Sequence, residues 1–196
     1  MSFRVIEVKT KADRKAFLRF AKELYKGDPN WVCPLDDELE GVFDPGRNPT
    51  FRHGEATRWI LVDDKNKVIG RIAAFIDYIR SKANTQPTGG IGYFEVIDNR
   101  DAAFMLFDTA REWLAQRGME AMDGPINFGE NESNWGLLVE GFMQQGIGMP
   151  YNKEYYRKFF EEYGFQKYFE QYSYHCTVRG PDNKIVMFPE RMVKIA

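Results

Sequence analysis

The stretch YNKEYYRKFFEEYGFQKYF, residues 151–169, carries the pattern that decides the fold. Its first part has the apolar spacing of a helix, and Gly164 stands where such a helix ends, because glycine readily adopts the left-handed conformation of a helix stop. The aromatic-rich segment that follows, residues 166–178, favours a β-strand. We therefore predict a helix that ends at Gly164 and leads into a final strand.

The rest of the chain alternates strand and helix patterns. Apolar and polar residues alternate in residues 3–9, after which Thr10 and Asp13 form a capping-box-like start of an amphipathic helix that ends near Gly27. The remaining predicted elements are a short acidic helix around residues 36–43, a hairpin of 57–64 and 67–78, a strand at 93–98 after a TGGIG loop, a helix closed by Gly118 and a strand at 119–128. This order predicts one α/β (α+β) domain with a mixed, mostly antiparallel sheet.

Composition limits the classes of function. Apolar residues make up 43% of the chain, the formal net charge is −2, and no block of Lys and Arg could follow a phosphate backbone, so nucleic acid is not expected as a partner. The N-terminus lacks an apolar signal region, and no apolar run is long enough to span a bilayer, so we predict a cytoplasmic protein. The cysteines Cys33 and Cys176 and the histidines His53 and His175 match no zinc spacing, and no metal is predicted.

Several of these segments together resemble the GNAT superfamily of acyl-CoA-dependent N-acyltransferases. The resemblance rests on the strand KVIGRIAAFID, on the helix after a central strand, and on FFEEYGF before a last aromatic strand, and it covers about residues 3–178. The motifs GPINFGENESNWGLLVEGF and PYNKEYYRKFFEEYGF further resemble a bacterial branch of longer chains. We predict a GNAT-like domain over residues 1–178 and a tail over 179–196, whose PERMVKIA has a helix start without a stop and favours continuation into a longer chain.

The resemblance implies direct attack of an amine on the thioester of acyl-CoA, which would be a co-substrate. It also implies a splayed cleft for the pantetheine arm between two parallel central strands, here GYFEVID and EAMDGPINF, with helices on both faces of the sheet. The acceptor would be a small amine or amino acid.

The diphosphate loop departs from the family pattern. GNAT enzymes usually carry Arg/Gln-x-x-Gly-x-Gly/Ala there, whereas this chain has VIDNRDAAFMLF, which is shorter and lacks glycine. The resemblance implies that any bound CoA would contact Val96, Ile97, Asn99 and Arg100. The alternative is that Asp98 or Asn99 only caps the following helix.

Two candidates for acid–base chemistry lie near the predicted cleft. Many GNAT enzymes have a proton-donating Tyr four residues before the helix-ending glycine, but that position is Phe160 in this chain. Tyr156 lies one helical turn earlier on roughly the same face and is the candidate substitute. The alternative is that Tyr156 only packs in the core, as an aromatic residue at this spacing often does. The resemblance also implies Glu95 as a base, because several GNAT enzymes carry a catalytic Glu in this central strand, where burial would raise its pKa toward the range of a general base. The alternative is that strand alternation points Glu95 away from the cleft.

The segment that follows the second central strand is the predicted acceptor site. Its polar residues stand between two breaks in the sequence, as residues of binding loops often do. We predict substrate contacts from Asn127, Asn131, Asn134 and Trp135, and a base or amine ligand in Glu130 or Glu132. The alternative is a loop tied by Asx-turns, with Trp135 filling the core.

Two functions therefore remain open. The first is an N-acyltransferase that transfers an acyl group from acyl-CoA to a small amine. The second is a GNAT-fold module that has lost CoA binding and serves as a ligand-binding or interaction domain. Neither function predicts the oligomeric state, so a monomer and a homodimer both remain open.

Overall fold

The computed structural model describes residues 2–83, 85–129, 135–146 and 148–174. Packing divides the chain into two compact units, Met1–Gly164 and Phe165–Ala196. The predicted domain limit at residue 178 stays a prediction, because residues 175–196 lie outside the described ranges.

The first unit contains the helices and strands that the structure describes. The strands are β1 (Arg4–Glu7), β2 (Gly54–Val62), β3 (Val68–Asp77), β4 (Thr88–Val96) and β5 (Ala121–Asp123). The helices are α1 (Lys11–Leu24), α2 (Asp36–Val42), α3 (Tyr78–Ala83), α4 (Arg100–Ala115) and α5 (Tyr156–Tyr163), with a 3-10 turn at Pro49–Arg52.

The five strands form one mixed sheet in the order β1-β2-β3-β4-β5. The first three pairings are antiparallel, whereas β4 and β5 run parallel, with Thr88 opposite Ala121 and Gly90 opposite Asp123. Helix α4 connects the parallel pair, as a parallel connection requires. The prediction of a mixed sheet with a parallel central pair is confirmed.

Helices cover both faces of this sheet. Successive side chains of a strand point to opposite faces. On β4, Glu95 contacts Tyr25 at the end of α1, while its neighbour Phe94 stacks on Phe107 of α4. The acid of the central strand therefore faces α1, and the aromatic core of α4 and α5 lies on the other side.

The parallel strands β4 and β5 part beyond Gly92. The N–H of Ile126 still donates to the carbonyl of Ile91 over 2.8 Å, and a Cβ added to Gly92 would lie 2.1 Å from the carbonyl oxygen of Ile126. A bulge follows, with Tyr93 at a φ of 53° and a register shift opposite Arg71 and Ala73. Strand β4 then runs on to Val96, although β5 has already ended.

The predicted helix signals are present at both ends of the unit. The hydroxyl of Thr10 accepts the N–H of Asp13 over 3.1 Å, and the Asp13 carboxylate accepts the N–H of Thr10 over 2.8 Å, which completes a capping box. Gly164 ends α5 in the left-handed conformation, with a φ of 111°. These local rules fix the start of α1 and the end of α5, whereas α1 ends at Leu24, before the predicted Gly27, and α5 begins only at Tyr156.

Three strand predictions are corrected. The segment TGGIG is the first part of β4, not a loop, because its Gly92 is needed for close approach to Ile126. Strand β5 covers 121–123 instead of 119–128, since the chain leaves the sheet at Gly124 and Pro125. Helix α3 and the 3-10 turn were not predicted.

The third correction concerns the final strand. The described residues of the second unit, 165–174, contain no strand, and residues 175–178 lie outside the described ranges. Tyr168 and Tyr174 are each 90% exposed, and Lys167 pairs locally with Glu170. Aromatic residues favour a strand when they pack against a sheet, and exposed ones lack that stabilisation.

Candidate active site

A buried carboxylate, Glu95, is the centre of a polar cluster at the end of β4. The hydroxyls of Tyr25 and Tyr156 each donate to its Oε2 over 2.8 Å. Tyr25 comes directly after α1, and Tyr156 begins α5, so the two phenols approach from different elements. Glu95 is 9% exposed, and both tyrosines are 1% exposed. The predicted pair of Glu95 and Tyr156 therefore lies in direct contact.

Arg71 is the counterion on the neighbouring strand. It stands opposite Glu95 in the register of β3 and β4, so the two side chains share a face of the sheet. Its Nη2 lies 3.7 Å from Glu95 Oε1, too far for a hydrogen bond, while Nη1 donates to the carbonyl of Phe17 over 2.9 Å. The buried Nε has no hydrogen-bond partner among the described residues. The pair is electrostatic and incompletely hydrogen-bonded.

Burial sets the protonation of the cluster. It raises the pKa of the Glu95 carboxyl above its usual value, against the opposing effects of Arg71 and of the two phenol hydrogen bonds. Burial and the charge of Glu95 also raise the pKa values of Tyr156 and Tyr25, so both phenols stay neutral and act as hydrogen-bond donors. A carboxylate whose pKa is raised takes up a proton more readily than an ordinary carboxylate, as a general base must.

The backbone of Val96, at the end of β4, is bonded by tyrosine side chains. Its N–H donates to the hydroxyl of Tyr156 over 2.8 Å, and its carbonyl accepts the hydroxyl of Tyr155 over 2.8 Å. These groups are those implied for the pantetheine arm of CoA. In this structure they are already satisfied by α5 and by the residue before it.

The residues predicted to contact CoA at the start of α4 also have partners. Asn99 caps the helix by accepting the N–H of Ala102 over 2.9 Å, and the N–H of Ile97 donates to the carbonyl of Ile69 over 3.0 Å. Arg100 donates from Nε to Glu162 over 2.9 Å. The predicted cofactor residues Ile97, Asn99 and Arg100 thus have partners within the fold. Together with the occupied Val96, they do not fit CoA in the manner that the GNAT resemblance implies.

The predicted acceptor segment is described only in part. Asn127 is 8% exposed and accepts the hydroxyl of Tyr93 over 2.6 Å, so its side chain lies in the packed interior. Trp135 is partly buried, next to Gly136, whose N–H donates to the carbonyl of Pro125 over 2.7 Å. Four further predicted residues lie outside the described ranges, namely Glu130, Asn131, Glu132 and Asn134. Their roles stay predictions.

A second polar group lies beside the Glu95 cluster. The hydroxyl of Tyr151 is 3.1 Å from both carboxylate oxygens of Asp28, and Lys153 approaches the same carboxylate at 3.3 Å. The ammonium of Lys153 lies 4.5 Å from the ring centre of Tyr25, which connects this group to Glu95. The side chains that follow α1 and precede α5 therefore form one continuous polar region.

Two members of the cluster were missed in the sequence, Tyr25 and Arg71. The sequence did mark Arg71, since it is a charged residue inside the otherwise apolar strand VIGRIAAFID. Burying an unpaired charge is costly, so a partner such as a carboxylate could have been expected. No sequence feature marked Tyr25 as functional, because a tyrosine at the end of an amphipathic helix is equally expected in the core.

Solved structures share this fold. The aminoglycoside antibiotic 6′-N-acetyltransferase AAC(6′)-Ih from Acinetobacter baumannii superposes with a TM-score of 0.51 at 13% identity, over 91% of this chain and 100% of that chain. A predicted acetyltransferase from Clostridium acetobutylicum, solved with acetyl-CoA, superposes with a TM-score of 0.50 at 14% identity, over 89% of this chain and 96% of that chain. The chain has the GNAT fold, and the predicted resemblance is confirmed at that level.

Two curated proteins are similar in sequence. The bacterial ceramide synthase of Caulobacter vibrioides is 36% identical over 182 residues, which cover 90% of this chain and 46% of that protein. Protein YghO of Escherichia coli is 33% identical over 158 residues, which cover 80% of this chain and 40% of YghO. The chain thus spans less than half the length of either relative. No family model matches it.

The described residues lack two kinds of feature. Within residues 2–83, 85–129, 135–146 and 148–174, no helix is long and apolar enough to cross a membrane. The same part of the chain holds no group of three or more His, Cys, Asp or Glu side chains that could bind a metal ion.

Proposed function

We propose that the protein is an N-acyltransferase that joins an acyl group to a primary amine, with Glu95 as the general base. The observation that carries the proposal is the contact between a buried carboxyl of raised pKa and two neutral phenols at the point where β4 and β5 part. Groups with perturbed pKa values in such positions are candidates for catalysis. The GNAT fold supports this class of reaction.

The chemistry assigned to Glu95 is removal of a proton from the acceptor. As the amine nitrogen forms a bond with the acyl carbon, the bond from that carbon to the thioester sulfur breaks and the sulfur leaves as a thiolate. The nitrogen must lose one proton, and protonation of the thiolate completes the products, an amide and a thiol. Glu95 Oε1 faces Arg71 at 3.7 Å, while the hydrogen bonds of Tyr25 and Tyr156 reach Oε2. The phenols orient the carboxylate, and Oε1 is the oxygen proposed to take the proton.

The acceptor that we propose is an amine on a hydrocarbon chain. A ceramide is an N-acylated long-chain amino alcohol, so the ceramide synthase relative supports this choice over the small amine or amino acid predicted from the sequence. The loop after α1 adds to this support. Tyr25 stacks on Trp31 at 5.0 Å, and the following Val32 and Leu35 are 55% and 65% exposed.

A second loop contacts the first and has a similar character. The side chain of Asn30 donates to the carbonyl of Phe142 over 3.0 Å, and Met143 beside it is 62% exposed. Exposed apolar side chains on two adjoining loops are a surface that a hydrocarbon chain can cover. The polar region around Glu95 would then hold the amine end.

An acceptor series tests this proposal. The protein is incubated with a long-chain acyl thioester and with amines that share one amino alcohol head but carry chains of two to eighteen carbons, and the amide is measured by mass spectrometry. We expect kcat/KM to rise by about fourfold for each buried CH₂ until the surface is covered, since each contributes about 0.8 kcal/mol. Equal rates for all chain lengths would favour a small polar acceptor instead.

The second candidate is a GNAT-fold module that does not transfer acyl groups. It is favoured by one specific observation, the occupation of the Val96 backbone by Tyr155 and Tyr156. If no thioester yields an amide with any amine in the series, while a long-chain amine still binds, the module is the better description.

A further inference from the structure

We propose that Arg71 is a second catalytic residue, and that the free edge of its guanidinium binds the acyl carbonyl oxygen and stabilises the negative charge formed there. This role rests on the proposed N-acyltransferase function. It gives Arg71 a contact with the substrate, in addition to its charge pairing with Glu95.

One edge of the Arg71 guanidinium has no hydrogen-bond partner among the described residues. Nη1 donates to the carbonyl of Phe17 over 2.9 Å. Nε is buried without a partner, and Nη2 lies 3.7 Å from Glu95 Oε1, beyond hydrogen-bond range. The N–H groups of Nε and Nη2 lie on the same edge of the planar guanidinium and form a fork that suits oxygen acceptors. This fork can therefore take an acceptor that the described residues do not supply.

The surroundings of Arg71 hold this fork in place. Its side chain is 4% exposed, its guanidinium lies 4.8 Å from the ring centre of Phe17, and the strand register sets it opposite Glu95. Native folds leave few buried donors unpaired, and a catalytic role or a bound water explains many of those that remain. Arg71 can therefore accept a substrate oxygen without giving up another hydrogen bond.

The place of the fork beside Glu95 suits amide formation. As the amine nitrogen bonds to the acyl carbon, one electron pair of the C=O bond moves onto the oxygen, and Glu95 Oε1 takes the proton from the nitrogen. The pair returns as the C–S bond breaks and the thiolate leaves, so Arg71 gains and loses no proton. The nitrogen and the oxygen are bonded to one carbon, so the groups that contact them must be neighbours, as Oε1 and Nη2 are. Donors aimed at a developing negative charge in a site that excludes water stabilise it strongly.

Arg58 provides a matched control. It lies on β2, its side chain is 7% exposed, and its guanidinium is 5.1 Å from the ring centre of Phe17. Its two terminal nitrogens donate to Glu40 over 2.7 and 2.9 Å, and not to Glu95. Arg71→Lys and Arg58→Lys each keep the positive charge and remove a guanidinium, but only Arg71→Lys alters the candidate site.

The first experiment measures amide formation from a long-chain acyl thioester and a long-chain amine across pH. For Arg71→Lys we expect kcat to fall about 10²-fold or more, as loss of an oxyanion donor does, while KM changes little. The acid limb of kcat/KM should stay in place, because the charge beside Glu95 is kept. Arg58→Lys should retain kcat within about threefold. Wild-type kcat in Arg71→Lys, as expected if the fork holds only a water, overturns the proposal, and so does an equal fall in both variants.

A second measurement uses the wild type and does not require a folded Arg71→Lys variant. The thioester is replaced by the dithioester of the same acyl chain, in which sulfur, a weaker acceptor, takes the place of the carbonyl oxygen. Relative to the uncatalysed reactions of the two compounds with the same amine, we expect kcat for the dithioester to be lower by about tenfold or more. An unchanged ratio means that no donor acts on the oxygen and overturns the proposal. If the wild type forms no amide from either compound, the proposed function fails together with the role of Arg71, whereas full activity of Arg71→Lys contradicts the role of Arg71 alone.

Discussion

The hydroxyl of Tyr156 donates a 2.8 Å hydrogen bond to Oε2 of Glu95, from the first turn of α5 to the end of β4. The same hydroxyl accepts the N–H of Val96 over 2.8 Å. One phenol thus joins the last residues of the central strand to the helix that follows the acceptor segment. The relationship links the packing of α5 to the protonation of the candidate base.

We expect Tyr156→Phe to shift the pH profile as well as the rate. The hydrogen bond from Tyr156 opposes the effect of burial on the Glu95 pKa, so its loss should raise that pKa further. Because the base must be ionised, the acid limb of kcat/KM should move to higher pH, and kcat at pH 7 should fall roughly tenfold or more. The pH dependence of kcat/KM gives the result directly.

Tyr163→Phe is the matched control for this substitution. Tyr163 lies at the other end of α5, and its hydroxyl donates to Asp108 over 2.7 Å, away from Glu95. Tyr163→Phe should therefore leave the acid limb of the kcat/KM profile unchanged. An equal shift in both variants would mean that the effect comes from loosening of α5 and not from contact with Glu95.

The free energy of unfolding should depend on pH through Glu95. Its folded pKa is raised above the unfolded value, so its favourable contribution is present below about pH 4.5 and is lost as pH rises through the folded pKa. The free energy of unfolding of the wild type, relative to Glu95→Gln, should therefore decrease as pH rises. The slope reaches at most about 1.4 kcal/mol per pH unit.

Urea denaturation of the wild type, Glu95→Gln and a control variant between about pH 2.5 and about pH 9 measures this difference, a range that extends well below the usual glutamate pKa. Glu55→Gln is the control, because Glu55 is also bonded by a tyrosine and an arginine, Tyr78 and Arg117, and its pKa is lowered. Its contribution is present above the unfolded pKa and is lost as pH falls. The difference between wild type and each Gln variant should therefore change mainly above about pH 4.5 for Glu95 and below it for Glu55. A pH-independent difference for Glu95→Gln would rule out the raised pKa.

Asn99→Ala should reduce stability without affecting donor use. The side chain of Asn99 caps α4, and removal of a helix cap costs about 0.5–2 kcal/mol. If the start of α4 does not hold the donor, KM for an acyl thioester should stay within about twofold at a temperature where the variant is folded. A large rise in KM with little change in thermal unfolding would show that Asn99 contacts the donor.

The sequence predicted the elements that local rules control. The Thr10–Asp13 capping box predicted the start of α1, Gly164 predicted the end of α5, and period-two alternation predicted the β2–β3 hairpin. It misplaced the start of β4, because Gly92 is required by close contact with Ile126, a residue far along the chain. The prediction of a strand after Gly164 was wrong over the described residues, because the strand propensity of aromatic residues does not supply a packing partner.

The candidate site was less predictable than the fold. Glu95 and Tyr156 were proposed separately from a resemblance and from helix spacing, and their contact depends on how α5 packs against β4. Arg71 is brought opposite Glu95 by the strand register, and a bulge at Tyr93 sets that register. Such long-range pairings follow from the whole fold and have no signature in a single sequence.

The most direct test of the central claim is the rate of amide formation from a long-chain acyl thioester and a long-chain amine, measured by mass spectrometry for the wild type, Glu95→Gln and Glu55→Gln. With Glu95 as general base, the wild type and Glu55→Gln should form the amide at similar rates. Glu95→Gln should be slower by about 10²-fold or more, since a general base contributes about that much. Undiminished amide formation by a folded Glu95→Gln variant would contradict the account.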